Sequence, residues 1–176
     1  MNKIKINYKS NMSYYEIAYF LKDKLNTNTV VVCIGTDKCI GDCLGPLVGS
    51  ILSQKFFPIP IYGTIASPIH ALNLDENLEK INQYHPNAEI IAIDACLGEK
   101  KSIGEIHIRD YPIRPGKGVG KKLTEVGIYS IIGIVESSEN AEFFTSKSIR
   151  LNLIFEMAKI ISDGILHAHY LQKNYL

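Results

Sequence analysis

The sequence predicts an α/β protein with an open sheet and helices on both faces of that sheet. Short apolar runs rich in β-branched residues alternate along the chain with stretches in which apolar residues recur at helical spacing. The run TVVVCIG, residues 29–35, is almost entirely apolar, which is typical of a strand covered on both sides. A length of 176 residues favours one domain with a substantial core, so residues 1–176 are expected to form a single domain.

Each element follows from its own local pattern. The first twelve residues are polar and rich in lysine, and they are expected to form a loose N-terminal arm. Ser13 and Glu16 form a capping-box pattern, and the apolar residues after them predict a helix over 13–25. Later helices are expected after Asp42 with Pro46 in the first turn, from Asn73 onward, and over 146–171. Strands are expected at 29–35, 59–64, 89–94, 104–110 and 127–135, with 104–110 at the sheet periphery.

Composition and charge exclude several classes of protein. The hydrophobic content is 46%, the charged content is 21% and the net charge is +1, so neither nucleic acid nor an anionic membrane is an expected partner. No segment has the roughly 18 consecutive apolar residues of a membrane-spanning helix, and the N-terminus lacks the apolar stretch of a signal peptide. We therefore expect a cytoplasmic protein whose four cysteines are reduced thiols rather than a disulfide framework.

The stretch GTDKCIGDCLG, residues 35–45, lies between the first buried strand and a helix, where phosphate-binding loops are found. It matches neither phosphate-loop pattern, and its two aspartates would repel a phosphate. Cys39 and Cys43 have C-x3-C spacing, but no second Cys/His pair completes a zinc site. A cysteine nucleophile would need a nearby histidine, which the sequence does not place there. The carboxylates are the better candidates for chemistry.

Asp42 lies in the loop after one predicted buried strand and Asp94 closes another, and the carboxyl ends of parallel neighbouring strands meet at one edge of a sheet. Two carboxylates in one cleft can act as an acid/base pair, or they can hold a divalent cation. The alternatives are structural, with Asp42 as a helix N-cap and Asp94 capping the next turn. His70 is a weaker candidate for a metal ligand, and a role at the start of the next helix is favoured for it.

Three motifs resemble those of a known family. GTDKCIGDCLGP resembles the first motif of the spore germination proteases, and IIAIDACLG, with Asp94, resembles the second. RPGKGVGKK resembles the third. The matching positions are Gly35, Asp42, Gly45 and Pro46 in the first motif, and Pro115, Gly116, Gly118, Val119 and Gly120 in the third. The sequence most resembles the sporulation proteins of the YyaC family, short relatives of that protease, and hydrogenase maturation endopeptidases are more distantly similar.

The resemblance implies a three-layer α/β/α sandwich with a mainly parallel sheet, as in the hydrogenase maturation endopeptidases, and a peptidase-like site. It implies Asp42 and Asp94 as the catalytic pair, which would also be the ligands if a metal is bound. A histidine is the third ligand in the hydrogenase maturation endopeptidases, but no motif match carries that role to His70. The residues expected to contact substrate are Gly35, Gly45, Gly116, Lys117, Gly118 and Gly120. It also implies a spore-forming bacterium, and the cytoplasm of the sporulating cell or forespore as the compartment.

These features predict a sporulation-associated peptidase that hydrolyses a peptide bond in a spore protein or precursor. Two alternatives stay open: a non-catalytic protein-binding module on the protease fold, and metal-dependent recognition or cleavage of a C-terminal peptide. The expected partner is a protein or peptide, and a homo-oligomer is left open. The main hypothesis requires no cofactor, although a divalent metal is compatible with the acid pair. A basic run over Arg109, Arg114, Lys117, Lys121 and Lys122 is either a solvated loop or a rim that guides an acidic peptide.

Overall fold

A computed structural model describes residues 2–115, 124–139 and 149–173, except for the side chain of Lys173. Six strands form one sheet. They are β1 Lys3–Asn7, β2 Thr29–Cys33, β3 Ile61–Tyr62, β4 Glu89–Gly98, β5 Glu105–Arg109 and β6 Tyr129–Ser137. The α-helices of the described residues are α1 Ser13–Leu21, α2 Leu44–Ser53, α3 Leu74–Tyr84 and α4 Leu151–Lys173.

The sheet is mixed, with the strand order β1-β5-β6-β4-β2-β3. The four strands β3, β2, β4 and β6 are parallel to one another, whereas β5 runs antiparallel to both β6 and β1. The carboxyl ends of β2, β4 and β6 therefore lie at one edge, which is where ligands bind on open α/β sheets. The predicted α/β class with a mainly parallel sheet is confirmed.

Two apolar clusters lie on opposite sides of the sheet and define the three layers. On one side, residues of α1, α2 and α4 such as Ile17, Leu44 and Ile154 pack on alternate residues of the strands, and all three are fully buried. On the other side, Leu74 and Ile81 of α3 pack on the remaining strand residues. Burial of both faces explains why β2 is apolar after Thr29, with all five of its residues buried.

The expectation of a loose arm at residues 1–12 is wrong. Lys3–Asn7 forms β1, the edge strand that pairs with β5. In KIKIN the isoleucines alternate with polar residues, and Ile6 is buried in the core with only 3% exposure. The chain therefore contributes its N-terminal segment to the sheet, and 104–110 is not the edge, because β5 lies between β1 and β6.

The predicted helix starts and ends also need correction. The capping box at Ser13 is absent: the N-cap is Met12, and the Ser13 hydroxyl instead donates to the carbonyls of Asn7 and Ser10. The helix ends at Leu21 rather than at residue 25. The strand predicted at 59–64 contains only Ile61–Tyr62, and none of the described helices is long and apolar enough to cross a membrane.

Candidate active site

Hydrogen bonds join the start of the loop that follows β2 to two other segments of the backbone. The amide of Ile34 donates to the carbonyl of Ile93 at 2.7 Å, and the amide of Gly35 donates to the carbonyl of Ile69 at 2.7 Å. Gly35 has φ +137°, and a Cβ there would lie 2.0 Å from the backbone oxygen of Asp42. Only glycine fits this close approach, which brings the chain around Asp42 against the end of β2.

A short 3-10 helix, Ile40–Asp42, places Asp42 at the end of this loop. Both backbone polar groups of Asp42 form hydrogen bonds of 3.0 Å. The Asp42 amide donates to the Cys39 carbonyl, and the Asp42 carbonyl accepts from the Thr36 amide. The N-cap of α2 is Cys43, so the alternative in which Asp42 caps that helix does not hold. The Asp42 side chain is half-buried and is left available for chemistry.

Asp94 lies inside a strand rather than at its end. The strand β4 extends to Gly98, because the small residues after Asp94 continue to pair with β6, and Asp94 itself lies opposite Ile132. The Asp94 carboxylate accepts a hydrogen bond of 2.8 Å from the amide of Ala95. That bond is within the strand, so the alternative in which Asp94 caps the following turn does not hold either.

The electrostatics place the two carboxyl groups in one site. Burial raises the pKa of Asp42 to about 6, and a hydrogen bond from the Thr36 amide opposes that shift. The pKa of Asp94 lies well above the usual value, first because of burial and second because of the negative charge of Asp42, with the Ala95 amide opposing. The charge of one carboxyl acts on the other, as expected for a pair that shares a proton.

Two buried cysteines near this pair have raised pKa values. Burial raises the pKa of the Cys43 thiol, and the negative charges of Asp37 and Asp42 raise it further. Burial likewise raises the pKa of the Cys33 thiol. No disulfide joins any of the four cysteines. Protonated thiols are poor nucleophiles and poor metal ligands, so the carboxylates are better candidates for chemistry than Cys33 and Cys43.

His70 lies in the turn that precedes α3, and its contacts are those of a turn residue. Its amide donates to the side-chain oxygen of Asn73 at 2.8 Å, and its ring Nδ1 accepts from the Leu72 amide at 3.3 Å. Within residues 2–115, 124–139 and 149–173, no three or more His, Cys, Asp or Glu side chains converge as metal ligands would. The structure thus gives His70 the helix-start role, and it does not join Asp42 and Asp94 in a ligand set.

The glycines expected to contact substrate divide into two groups. Gly35 and Gly45 are buried, and a Cβ on Gly45 would lie 2.2 Å from the Ile34 carbonyl oxygen, so both glycines allow backbones to pack closely. Their assignment to substrate binding stays a prediction. Gly116, Lys117, Gly118 and Gly120 lie outside the described residues, as do Lys121 and Lys122. Of the basic run, Arg114 is neutralised by an ion pair with Glu125.

Another concavity among the described residues lies elsewhere on the same edge of the sheet. A cavity of about 410 Å³ lies between the ends of β1 and β6 and the start of α4, and its lining includes Tyr8, Glu136 and Arg150. Neither aspartate lines it. We place the candidate site at the aspartates, because coupled carboxyls with raised pKa values are stronger evidence of chemistry than volume.

One surface was missed at the sequence level. Lys3 and Lys5 were assigned to a loose arm, and they stand in the structure beside Arg109 on β5. The strict alternation of KIKIN was the signal that could have revealed a strand with one polar face.

Comparison with known proteins gives two matches. The family described as "Protein of unknown function (DUF1256)" matches residues 5–164. The chain is also similar to the "Uncharacterized protein YyaC" of Bacillus subtilis (strain 168), with 47% identity over 137 residues, which are 77% of this chain and 67% of that relative. The match spans both aspartates of the candidate site.

Proposed function

The chain belongs to the DUF1256 family, and we propose that it is an aspartate-dependent peptidase in which Asp42 and Asp94 act as base and acid. The observation that carries this proposal is the electrostatic coupling of two half-buried carboxyls at the carboxyl edge of the parallel strands. The motif resemblance to the germination proteases supports a peptide bond as the target. It also supports a spore protein or precursor as the substrate, in the cytoplasm of the sporulating cell or forespore.

The two aspartates divide the work by their environments. Asp42 has a pKa of about 6, so at neutral pH it is largely ionised and can accept a proton from water. Asp94 is the partner that retains its proton, because burial and the charge of Asp42 both disfavour its ionised form. This division is the one required of an acid/base pair of carboxyls.

Hydrolysis then follows in two steps. Asp42 takes a proton from water while the water oxygen adds to the peptide carbonyl carbon, and Asp94 gives its proton to the carbonyl oxygen. The tetrahedral intermediate collapses when Asp42 returns its proton to the leaving nitrogen and Asp94 takes one back from a hydroxyl, so the carbon–nitrogen bond breaks. Both carboxyls end in their starting states.

In this mechanism the proton donated by Asp94 stabilises the negative charge that develops on the carbonyl oxygen. The backbone amides of Gly35, Thr36, Asp42 and Cys43 already donate to carbonyl groups of the protein. They are therefore not free to form an oxyanion hole, and a protonated carboxyl supplies the needed hydrogen bond.

The test is turnover of a peptide library in water enriched in oxygen-18. Hydrolysis places one heavy oxygen in each new C-terminal carboxyl, which mass spectrometry detects. We expect labelled products from the wild type and from Asp163→Asn, an exposed control on α4, but not from Asp94→Asn. No labelled product from the wild type would overturn the peptidase proposal and favour a protein-binding module. Equal product from the wild type and Asp94→Asn would overturn the role of Asp94 as the acid.

A divalent cation is the second candidate, because paired carboxylates are ligands that such cations prefer. Asp42 and Asp94 would hold it, with water or substrate oxygens completing the coordination. Calorimetric titration with Mn²⁺ separates the two cases: binding by the wild type that is lost in Asp94→Asn favours a metal site. Turnover that persists in chelator favours the metal-free pair.

A further inference from the structure

The strands β1 and β5 have one polar face. Their isoleucines, Ile4, Ile6, Ile106 and Ile108, belong to the core beneath α1 and α4. The alternating residues point to the opposite side of the sheet, and all of them are polar: Lys3, Lys5, Asn7, Glu105, His107 and Arg109. We call the part of this side formed by Lys3, Lys5, His107 and Arg109 the cationic face.

The cationic face sets positive groups directly against one another. Lys3 is opposite Arg109, so these two positive charges face each other, and Lys5 is opposite His107, a neutral ring whose pKa is lowered by burial. Like charges in direct cross-strand pairs destabilise a sheet. The pKa of Lys3 is accordingly lowered, first by partial burial and then by the charges of Arg109 and Lys5. Repulsion of this kind is relieved when an anion binds.

The acidic groups nearby, Glu105 and Asp110, offset only part of the charge of these three cations. Within the described part of the chain, Lys3, Lys5 and Arg109 form no ion pair within 4 Å. Glu105 is bonded to His107 at 2.8 Å, and Asp110 accepts a hydrogen bond from the Asn2 amide at 2.7 Å. The cationic face therefore retains an excess of positive charge.

Two buried nitrogen atoms of this face lack a partner among the described residues. His107 is only 6% exposed; its Nε2 is bonded to Glu105, whereas its Nδ1 is buried without a hydrogen bond. The Nε of Arg109 is also buried and unpaired, with the guanidinium 5.4 Å from the ring centre of Tyr111. Burial lowers the pKa of His107, so its ring is neutral in the unliganded protein. An anion that reached these buried nitrogens would accept from Arg109 Nε and would favour protonation of His107, in which both ring nitrogens donate.

The cationic face lies on the same side of the sheet as Asp94. The register runs straight across the strands from Lys5 to His107, then to Ile132 and to Asp94, and paired residues point to one side. Three strand spacings of about 4.8 Å separate Lys5 from Asp94, or roughly 14 Å. An extended peptide covers that distance in about four to five residues.

We propose that the cationic face binds an acidic segment of the protein substrate, about four to five residues from the bond that lies over Asp94 and Asp42. The inference rests on the proposed peptidase function and names its substrate class. Lysines on an edge strand also discourage pairing with other sheets. That role does not account for the unpaired nitrogens of His107 and Arg109, which a carboxylate would satisfy.

The test is binding, which needs no turnover. The probe is fluorescently labelled hexaglutamate, followed by anisotropy at low ionic strength against the wild type and the double variant Lys3→Gln/Lys5→Gln. We expect the dissociation constant to rise about threefold or more in the double variant, because two exposed charge contacts are lost. The charge-matched control is Lys55→Gln/Lys159→Gln, two exposed lysines elsewhere, which should bind like the wild type.

Three outcomes would overturn the cationic face as an acidic-peptide site. They are no binding of hexaglutamate by the wild type, equal losses in the two double variants, and tighter lysine-dependent binding of a six-nucleotide thymidine strand. Lysine-dependent binding of hexaglutamate by a wild type that releases no labelled product from the peptide library would remove the peptidase proposal and leave the cationic face standing.

Discussion

Asp42 and Asp94 differ in how the backbone holds them, and this difference decides their roles. Asp42 is at the end of a 3-10 turn in a loop, whereas Asp94 is fixed inside β4 between strands on both sides. Burial raises the pKa of both residues, and the strand residue also feels the negative charge of the loop residue. A base and an acid held by two separate backbone elements can lie on either side of a water and a substrate carbonyl.

Asp94→Asn tests the role of Asp94 most directly. Asparagine keeps the size of the side chain but cannot donate the acidic proton, so peptidase activity should fall at least about a hundredfold. The melting temperature should stay unchanged or rise slightly. Burial makes the ionised form of Asp94 unfavourable, and asparagine cannot ionise. Activity and thermal unfolding in cation-free buffer are the two measurements. A large fall in melting temperature would make Asp94 a structural residue.

Asp42→Asn should change the pH dependence of stability. The folded pKa of Asp42, about 6, lies above the unfolded value near 4, so the folded state binds the extra proton in that interval. The contribution of Asp42 to stability is therefore present at low pH and is lost as the pH rises through about 6. We expect Asp42→Asn to melt above the wild type at neutral pH, with the difference vanishing near pH 4. A constant difference across this range would contradict the raised pKa.

The loop between β2 and α2 is an element in which close backbone packing sets the position of a functional side chain. Gly35→Ala would require an alanine at φ +137°, with its Cβ only 2.0 Å from the Asp42 oxygen. The loop must move, so we expect a loss of about 1–3 kcal/mol in stability, together with a loss of activity. Thermal unfolding and turnover check this. Gly98→Ala is the control, because its Cβ would meet only the movable side chain of Ile134, and it should cost less.

The edge strand β1 is integral to the core. Ile6 is 3% exposed, so Ile6→Ala should lower the free energy of unfolding by about 2–4 kcal/mol through lost burial and a cavity. Denaturant unfolding measures the change. Ile65→Ala, at a residue that is 39% exposed, should have little effect. If both substitutions had equally small effects, β1 would not be part of the core, and the loose N-terminal arm predicted from composition would be favoured again.

At the scale of the whole molecule, the two carboxyls should give activity a bell-shaped dependence on pH. The rising limb belongs to ionisation of Asp42 near pH 6, and the falling limb belongs to loss of the Asp94 proton at higher pH. The measurement is kcat/KM against pH with a peptide substrate from the library. A rate that rises to a plateau without a falling limb would remove Asp94 as the acid.

Features set by local pattern were predicted well, and features set by distant pairing were not. The apolar strands and amphipathic helices are local, so the α/β class followed from them. The strand β1 was missed because its partner β5 is remote in sequence and its lysines suggested an arm. The end of the apolar run at Asp94 did not mark the end of β4, because pairing with β6 continues through small residues.

In the candidate site, too, the residues of local motifs could be predicted from the sequence, whereas contacts between distant segments could not. The spacing of glycines and aspartates indicated Asp42 and Asp94, because loops after buried strands share one edge of the sheet. The cationic face was not predictable, because Lys3 and Arg109 become neighbours only when β1 and β5 pair. The unpaired nitrogen of His107 likewise depends on burial, which no local pattern shows.

The position of β1 has a consequence for biosynthesis. The ribosome releases β1 early, but its partner begins only at Glu105, so the first strand has nothing to pair with while β2, β3 and β4 are being made. Closing so long a loop is slow, and β1 must therefore dock late. Until β1 docks, the outer edge of β5 has unpaired amides and carbonyls, and the β1 strand of a second nascent copy can pair with them. We therefore expect this fold to misassemble by exchange of β1 between neighbouring chains on one polysome.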